Sequence, residues 1–256
     1  MTSISSNNLP TPKLKLWSIL LWLAVWEAAS LALNEPILCV SPVAVLTRLF
    51  SLARTLPFWQ SILFSLSRIA CGFFCGIFAG TFLAVLAARF KRISELFAPL
   101  VLLAKTIPVA SFIILALIWI PSRNLSVFIS FLMVMPVTYT NVLEGIRSTD
   151  KELLEMAQVF SISPFSTIRY IYVSQVLPFF QSACSISLGL CWKSGIAAEV
   201  IGIPRGSIGE NLYNAKIYIN TADLFAWTFV IIVLSVCFEK LVLLLLNKMV
   251  KRLERI

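Results

Sequence analysis

The chain of 256 residues contains no histidine. That absence removes the usual near-neutral proton carrier and the commonest metal ligand. A Ser-His-Asp triad or an H-E-x-x-H metalloprotease helix cannot be built from it. Charge is scarce too: Asp, Glu, Lys and Arg make up 13% of residues, against about 25% in soluble domains. With 59% hydrophobic residues and a mean hydropathy of +0.91, a soluble globular enzyme is excluded. No G-x-x-x-x-G-K-[ST] run occurs, so that phosphate cradle is missing. The six cysteines (Cys39, Cys71, Cys75, Cys184, Cys191, Cys237) show no zinc spacing, and no metal site is expected. Five of them fall in apolar runs, which leaves no external disulfide framework. Cys71 and Cys75, one helical turn apart, read as small residues at a helix contact.

What is present is six apolar runs, at residues 16–33, 63–88, 96–119, 125–143, 177–200 and 224–246. Each is near the roughly 20 residues that cross a bilayer core. They predict an all-α, polytopic membrane protein whose six transmembrane helices form one domain, 16–246. A tail at 1–15 precedes it and a basic tail at 247–256 follows. Ser30-Leu31-Ala32 has the small-x-small pattern of a signal cleavage site, but Glu27 interrupts the run and its length exceeds a signal core. A retained span is therefore expected.

The net charge of +9 is read as a topology signal, and no nucleic-acid partner is expected. With the N-terminus inside, twelve cations lie on the cytoplasmic side: Lys13, Lys15, Arg89, Lys91, Arg92, Arg147, Lys151, Arg169, Lys248, Lys251, Arg252 and Arg255. Five lie outside: Arg48, Arg54, Arg123, Arg205 and Lys216. This positive-inside bias places both termini in the cytoplasm.

Gly72, Gly76 and Gly80 repeat at four-residue spacing, a ladder that lets helix backbones approach closely where lipid supplies no hydrophobic drive. Pro108 and Pro136 interrupt the third and fourth runs and predict kinks. Glu27, Arg68, Lys105, Lys193, Glu199 and Glu239 lie within or at the edges of runs. Intramembrane charge points to a polar pathway or a buried pair, with snorkelling as the plain alternative for Arg68, Glu239 and Lys240. Lys105, Pro108, Lys193 and Glu199 are the candidate pathway residues. The external connection 201–223 holds three of the nine glycines and reads as an outer gate, a docking site or an ordinary linker with a short surface helix.

The cytoplasmic connection 147–175 has more internal structure. Thr149-Asp150-Lys151-Glu152 reads as a capping box with threonine at the cap. Leu153, Met156, Ala157 and Phe160 then recur at helical spacing. Ser161-Ile162 make a turn, and Ser163-Pro164 restart a helix with proline at its first position.

The run Glu155-Met156-Ala157-Gln158-Val159-Phe160-Ser161, with Leu177-Pro178 after it, resembles the EAA loop of ABC-importer permeases. Ser65-Leu66-Ser67-Arg68 with Gly72-Phe73 resembles that family's second span. Ile107-Pro108-Val109-Ala110 resembles its third, and Ala197-Ala198-Glu199 with Gly202 the end of its fifth. The subgroup most similar is the nitrate, taurine and aliphatic-sulfonate type. Met156 departs from the family's alanine and Ser161 from its glycine. If that turn needs a left-handed residue, serine costs about 1 kcal/mol more than glycine.

The resemblance implies a type I importer subunit in the bacterial inner membrane that encloses the pathway with a second permease, expected as a homodimer. It implies a cytoplasmic ABC ATPase dimer, docked on Glu155, Met156, Ala157, Phe160 and Ser161, and an extracytoplasmic substrate-binding protein. No cofactor is expected in this chain, since ATP and Mg2+ would be bound by the ATPase. Two rival classes stay open. An ion-gradient-driven secondary transporter would show inverted repeats and an ion site, and neither pattern is found. A membrane scaffold fits the composition but leaves the ordered motifs unexplained. Lys105 and Lys193 would favour an anionic cargo, and Glu27 and Glu199 offset them.

Overall fold

A computed structural model describes residues 15–33, 35 and 39–253. Residues 1–14, the greater part of the expected N-terminal tail, and the last three positions with Arg255 lie outside the described residues. The helices are α1 (Leu16–Leu33), α2 (Pro42–Ala53), α3 (Leu56–Arg89), α4 (Lys91–Thr106), α5 (Val109–Ala116), α6 (Ser122–Arg147), α7 (Lys151–Val159), α8 (Pro164–Thr167), α9 (Val173–Gly202), α10 (Ile208–Ile217) and α11 (Thr221–Leu253). One π-helical turn, Ile168–Tyr172, joins α8 to α9. No strand occurs among the described residues. Five helices are long and apolar enough to cross a membrane, and six spans result when α4 and α5 count as one bent pair.

The bundle is organised around α6, which lies between α3 and α9. The glycine ladder sets the α3–α6 approach. A methyl group on Gly72 would lie 2.4 Å from the Val127 carbonyl oxygen, one on Gly76 2.7 Å from Val134 Cβ, and one on Gly80 2.7 Å from the Met135 carbonyl oxygen. Two further glycines, not singled out by the sequence pattern, do the same on the other flank. Gly195 of α9 faces Ile69 and the Ser130 hydroxyl, and Gly145 faces the Phe179 ring. Ser130 donates to the Cys191 carbonyl at 3.3 Å, so its hydroxyl is satisfied where three helices meet. Away from these contacts the surface is apolar: Phe74, Phe78 and Phe82 of α3 and Leu241, Leu244 and Leu245 of α11 are exposed. That is the surface a lipid-facing helix presents, because a helix satisfies its own backbone and hydrocarbon solvates the rest. Cys71 and Cys75 are exposed, on the side of α3 away from the glycines, so they do not mediate the helix contact expected of them.

The two prolines behave differently. At Pro108 the third run is not one span with a kink but two helices bent by 107°. Ile107 takes an extended conformation (φ −72°, ψ 132°) and Pro108 follows at φ −57°, ψ 131°. Proline has no N–H to continue the ladder, and its ring keeps the preceding residue out of the helical region. Pro136, by contrast, is buried inside an unbroken α6. The expected break there does not occur.

The first connection also contains a helix that the runs do not mark. α2 starts on Ser41, whose hydroxyl accepts the Ala44 N–H, with proline next. It is held by Val45 in a cluster with Val40 and Ala226, and by an ion pair from Arg48 to Asp223 at the start of α11.

Candidate functional site

The connection between α6 and α9 is a helix–turn–helix. Asp150, not Thr149, caps α7: its carboxylate accepts the Glu152 N–H at 2.9 Å. Thr149 still belongs to the end of α6, where its buried hydroxyl donates to the Gly145 carbonyl at 3.3 Å, so the cap falls one residue later than the sequence pattern indicates. The Asp150 N–H donates to Gln175 Oε1 at 3.0 Å, tying the entry of α7 to the base of α9.

The turn after α7 is a Schellman motif. The Ile162 N–H reaches the Ala157 carbonyl at 2.9 Å and the Ser161 N–H the Gln158 carbonyl at 3.0 Å. Such a motif needs a left-handed residue at its corner, usually glycine. Here Ser161 holds φ +51°. Ser163 then caps α8 by accepting the Ser166 N–H at 3.2 Å, with Pro164 in the first position. The π turn that follows inserts an irregular step between this unit and α9, a feature often found at functional sites.

These turns decide which side chains face outward. Met156, Val159, Phe160, Ile162 and Phe165 are exposed, with Val159 at 80% and Phe160 at 73%. Glu155 is exposed beside them. Ala157 is 3% exposed and faces its own chain. The stripe predicted from Leu153, Met156, Ala157 and Phe160 is therefore split, because Ala157 and partly buried Leu153 pack inward. Large apolar residues concentrated on a short helix pair mark an interaction surface.

At the opposite end of the bundle, Glu199 is fully buried. Ser65 donates its hydroxyl to Glu199 Oε2 at 2.6 Å and accepts the Ile208 N–H at 3.0 Å. The Gly209 N–H donates to the same Glu199 oxygen at 3.3 Å. Gly209 leaves no room for a side chain: a methyl group there would lie 2.4 Å from Glu199 Cβ. Glu199 and Ser65 thus hold the start of α10 against α9 and α3, with the Glu199 carboxyl group accepting a backbone N–H from the first turn of that helix. The second Glu199 oxygen and the Ser126 hydroxyl are buried without hydrogen-bond partners. Nearby, Arg68 donates to Asn124 Oδ1 at 3.1 Å, and a methyl group on Gly202 would meet Leu125 at 2.7 Å. Residues from two separate sequence motifs, Ser65 and Arg68 in one and Glu199 and Gly202 in the other, are gathered at this end.

The connection 201–223 contains the helix α10. Ser207 accepts the Glu210 N–H at 2.9 Å, and Glu210 accepts the Gly206 N–H. The spacing Ser207-x-x-Glu210 was a legible helix start that the glycine content obscured. Ile203 and Ile219 flank the segment at φ +47° and +53°, a left-handed conformation costly for β-branched residues.

The candidate pathway residues do not form one cluster. Lys105 donates to Thr140 Oγ1 at 3.0 Å, and Pro108 forms the corner between α4 and α5. Lys193 is exposed on α9 and Glu199 is buried. Ser182, Ser185 and Gly189 share the exposed face of Lys193, a largely polar stripe interrupted by exposed Ile186. A lysine in mid-span facing lipid is costly, so such a stripe is normally turned to water or protein.

Taken together, these features define a multi-pass helical membrane protein with a helix–turn–helix between its fourth and fifth spans and a buried acidic clasp at the other end. Residues 72–255 match the profile of the binding-protein-dependent transport system inner membrane component family, and the chain belongs to that family of ABC-importer permeases. It is 26% identical over 218 residues, 84% of this chain and 87% of the relative, to a Haemophilus influenzae protein named "Probable ABC transporter permease protein". The Escherichia coli taurine transport system permease protein is 24% identical, over 84% of this chain and 80% of its own length. The Synechococcus elongatus bicarbonate transport system permease protein is 25% identical, over 77% of this chain and 68% of its own length.

Proposed function

We propose that this chain lines half of a solute pathway and receives force from a separate ATPase through α7 and α8. The observation that carries this reading is the exposed apolar group Met156, Val159, Phe160 and Phe165 beside Glu155. An apolar helix face fits a partner groove, and the carboxylate offers a point of charge recognition. Besides the Gln175 contact, the unit joins α9 directly through the π turn, so motion of α7 would be passed to the helix that carries Lys193.

In this reading the helix pair is cytoplasmic, as the positive-inside count supports, and both termini lie on that side. ATP and Mg2+ belong to the partner ATPase, and a binding protein delivers cargo near α10. A second permease copy covers the polar stripe of α9. Lys105, Pro108 and Lys193 line or shape the pathway, and Glu199 acts on it by fixing α10. The names of the taurine and bicarbonate relatives, with Lys193 on the stripe, support a small cargo that carries an anionic group.

The test is a cross-link. The full-length chain carrying Val159→Cys is co-expressed with a candidate partner ATPase and treated with a thiol-to-amine cross-linker. A chain-to-ATPase adduct from this position, and none from an external position such as Lys216→Cys, is expected. An adduct at Lys216→Cys alone would refute the arrangement.

A further inference from the structure

Between α3, α6 and the first turns of α9 lies a groove of about 600 Å³, within the roughly 300–1,000 Å³ of small-ligand sites. Val85, Val142, Val176 and Phe180 give it an apolar wall, and along α3 its lining runs from Thr81 at one end to Arg89 at the other. The Thr81 hydroxyl is buried without a hydrogen-bond partner. Val176 and Phe180 fall roughly half a turn from Ser185 and Lys193 around α9, so this groove is separate from the polar stripe.

Its dimensions and charge select an occupant. From Thr81 to Arg89 the helical rise gives about 12 Å, close to the roughly 15 Å depth of one leaflet, half of a 30 Å hydrocarbon core. Arg89 is the last residue of α3, at the end of the bundle where Lys91 and Arg92 follow. Two nearby cations are engaged: Lys91 pairs with Glu95 at 3.9 Å, and Arg147 donates to Ser94 at 2.9 Å. Among the described residues, Arg89 has neither an ion pair nor a hydrogen-bonded side-chain partner.

We infer that this groove binds one anionic phospholipid of the adjoining leaflet, with an acyl chain between α3 and α9 and the phosphate on Arg89. The hydrocarbon wall takes the chain, and the free guanidinium takes the phosphate in a forked, charge-assisted contact. Ile168 and Tyr172 of the π turn also line the groove. A bound lipid would therefore touch the junction through which α7 and α8 are joined to α9. This inference rests only on the chain spanning a membrane, not on its coupling to an ATPase.

The experiment uses the full-length chain in phosphatidylcholine nanodiscs containing a photoactivatable phosphatidylglycerol with the reactive group on its acyl chain. Adducts are expected in segments 81–89 and 168–180, competed by unlabelled phosphatidylglycerol but not by added phosphatidylcholine. Arg89→Gln should lower adduct yield roughly ten-fold, in line with loss of a hydrogen bond to a charged group. Ala88→Trp, which fills the groove, should abolish the adduct while the thermal unfolding profile is kept. If that variant does not fold, the Arg89→Gln arm decides, because its side chain is exposed. Equal competition by both lipids, or a yield unchanged in Arg89→Gln, would overturn the inference. So would adducts that form in discs holding one copy of the chain and vanish in discs holding two, which would show a second copy in the groove.

Discussion

Replacing Gly72 with alanine is the sharpest test of the packing. The new methyl group would stand 2.4 Å from the Val127 carbonyl oxygen, 2.7 Å from Ser130 Cβ and 3.1 Å from the Phe131 nitrogen. Two of these three atoms are backbone, so no side chain can rotate away. To reach ordinary contact distance, α3 and α6 must separate by about 1 Å, and gaps of that size forfeit a quarter to a half of each dispersion contact. Overpacking of this kind costs about 1–3 kcal/mol, and alanine returns up to about 1 kcal/mol of helix propensity. We expect a net loss of about 1–2 kcal/mol. Gly189→Ala supplies the control, because nothing lies within 4 Å of a methyl group there. That variant should be neutral or gain up to about 1 kcal/mol. Unfolding of the purified chain by SDS titration in mixed micelles would measure both. If the two variants agree within about 0.5 kcal/mol, the scale of ordinary surface changes, the ladder does not set the helix approach.

Ser65→Ala removes the donor to Glu199 and the acceptor of the Ile208 N–H, leaving buried groups unpaired at about 1–3 kcal/mol; amide exchange over 207–212 should accelerate by about ten-fold or more. Ser161→Gly relieves the left-handed corner at φ +51° and should raise thermal stability by up to about 1 kcal/mol, while Ser161→Val should lower it. Arg48→Ala breaks a pair whose side chains are 42% and 18% exposed, so the loss should be no more than about 1 kcal/mol. The hydrogen bond from Arg48 to Asp223 holds the guanidinium above the ordinary arginine range. The guanidinium therefore keeps its charge throughout neutral pH, and as pH rises the pair's contribution is lost only in strong alkali, which a pH series of unfolding midpoints above neutrality would check.

The sequence located the membrane helices better than their ends. Apolar runs report the stretch in contact with hydrocarbon, but α3 begins at Leu56, before its run, because a helix continues into water wherever its caps allow. α2 was missed, and α10 was raised only as a short surface helix in a linker, for the opposite reason: both are short, and their burial is created by neighbours, as at Val45 against Ala226 and Gly209 against Glu199. The loop grammar was legible because caps and turns are local. Its outward face was not, since only the path of the chain decides that Ala157 turns inward while Val159 turns out. The break at Pro108 and continuity at Pro136 are likewise tertiary outcomes of one local chemistry. Glu199 stood out as an intramembrane charge, but its partners Ser65 and Gly209 lie 134 and 10 residues away, and no spacing pattern links them.

The central claim is that α7 and α8 couple this chain to an ATPase. The direct measurement is ATP hydrolysis and uptake in proteoliposomes holding the full-length chain, a candidate partner ATPase and binding protein, with and without cargo. Glu155→Lys places the wrong charge on the exposed surface, and removing one side of a desolvated charge pair costs roughly 2–5 kcal/mol. Phe160→Asp removes the apolar anchor from the same surface without touching a buried residue. Both variants should insert and fold normally yet lose cargo-stimulated hydrolysis and uptake together, with Gln158→Ser as a mild control. Ala157→Glu should also fail, but through misfolding of the loop, because Ala157 is buried in its own chain. Wild-type uptake by folded Glu155→Lys and Phe160→Asp would contradict the account.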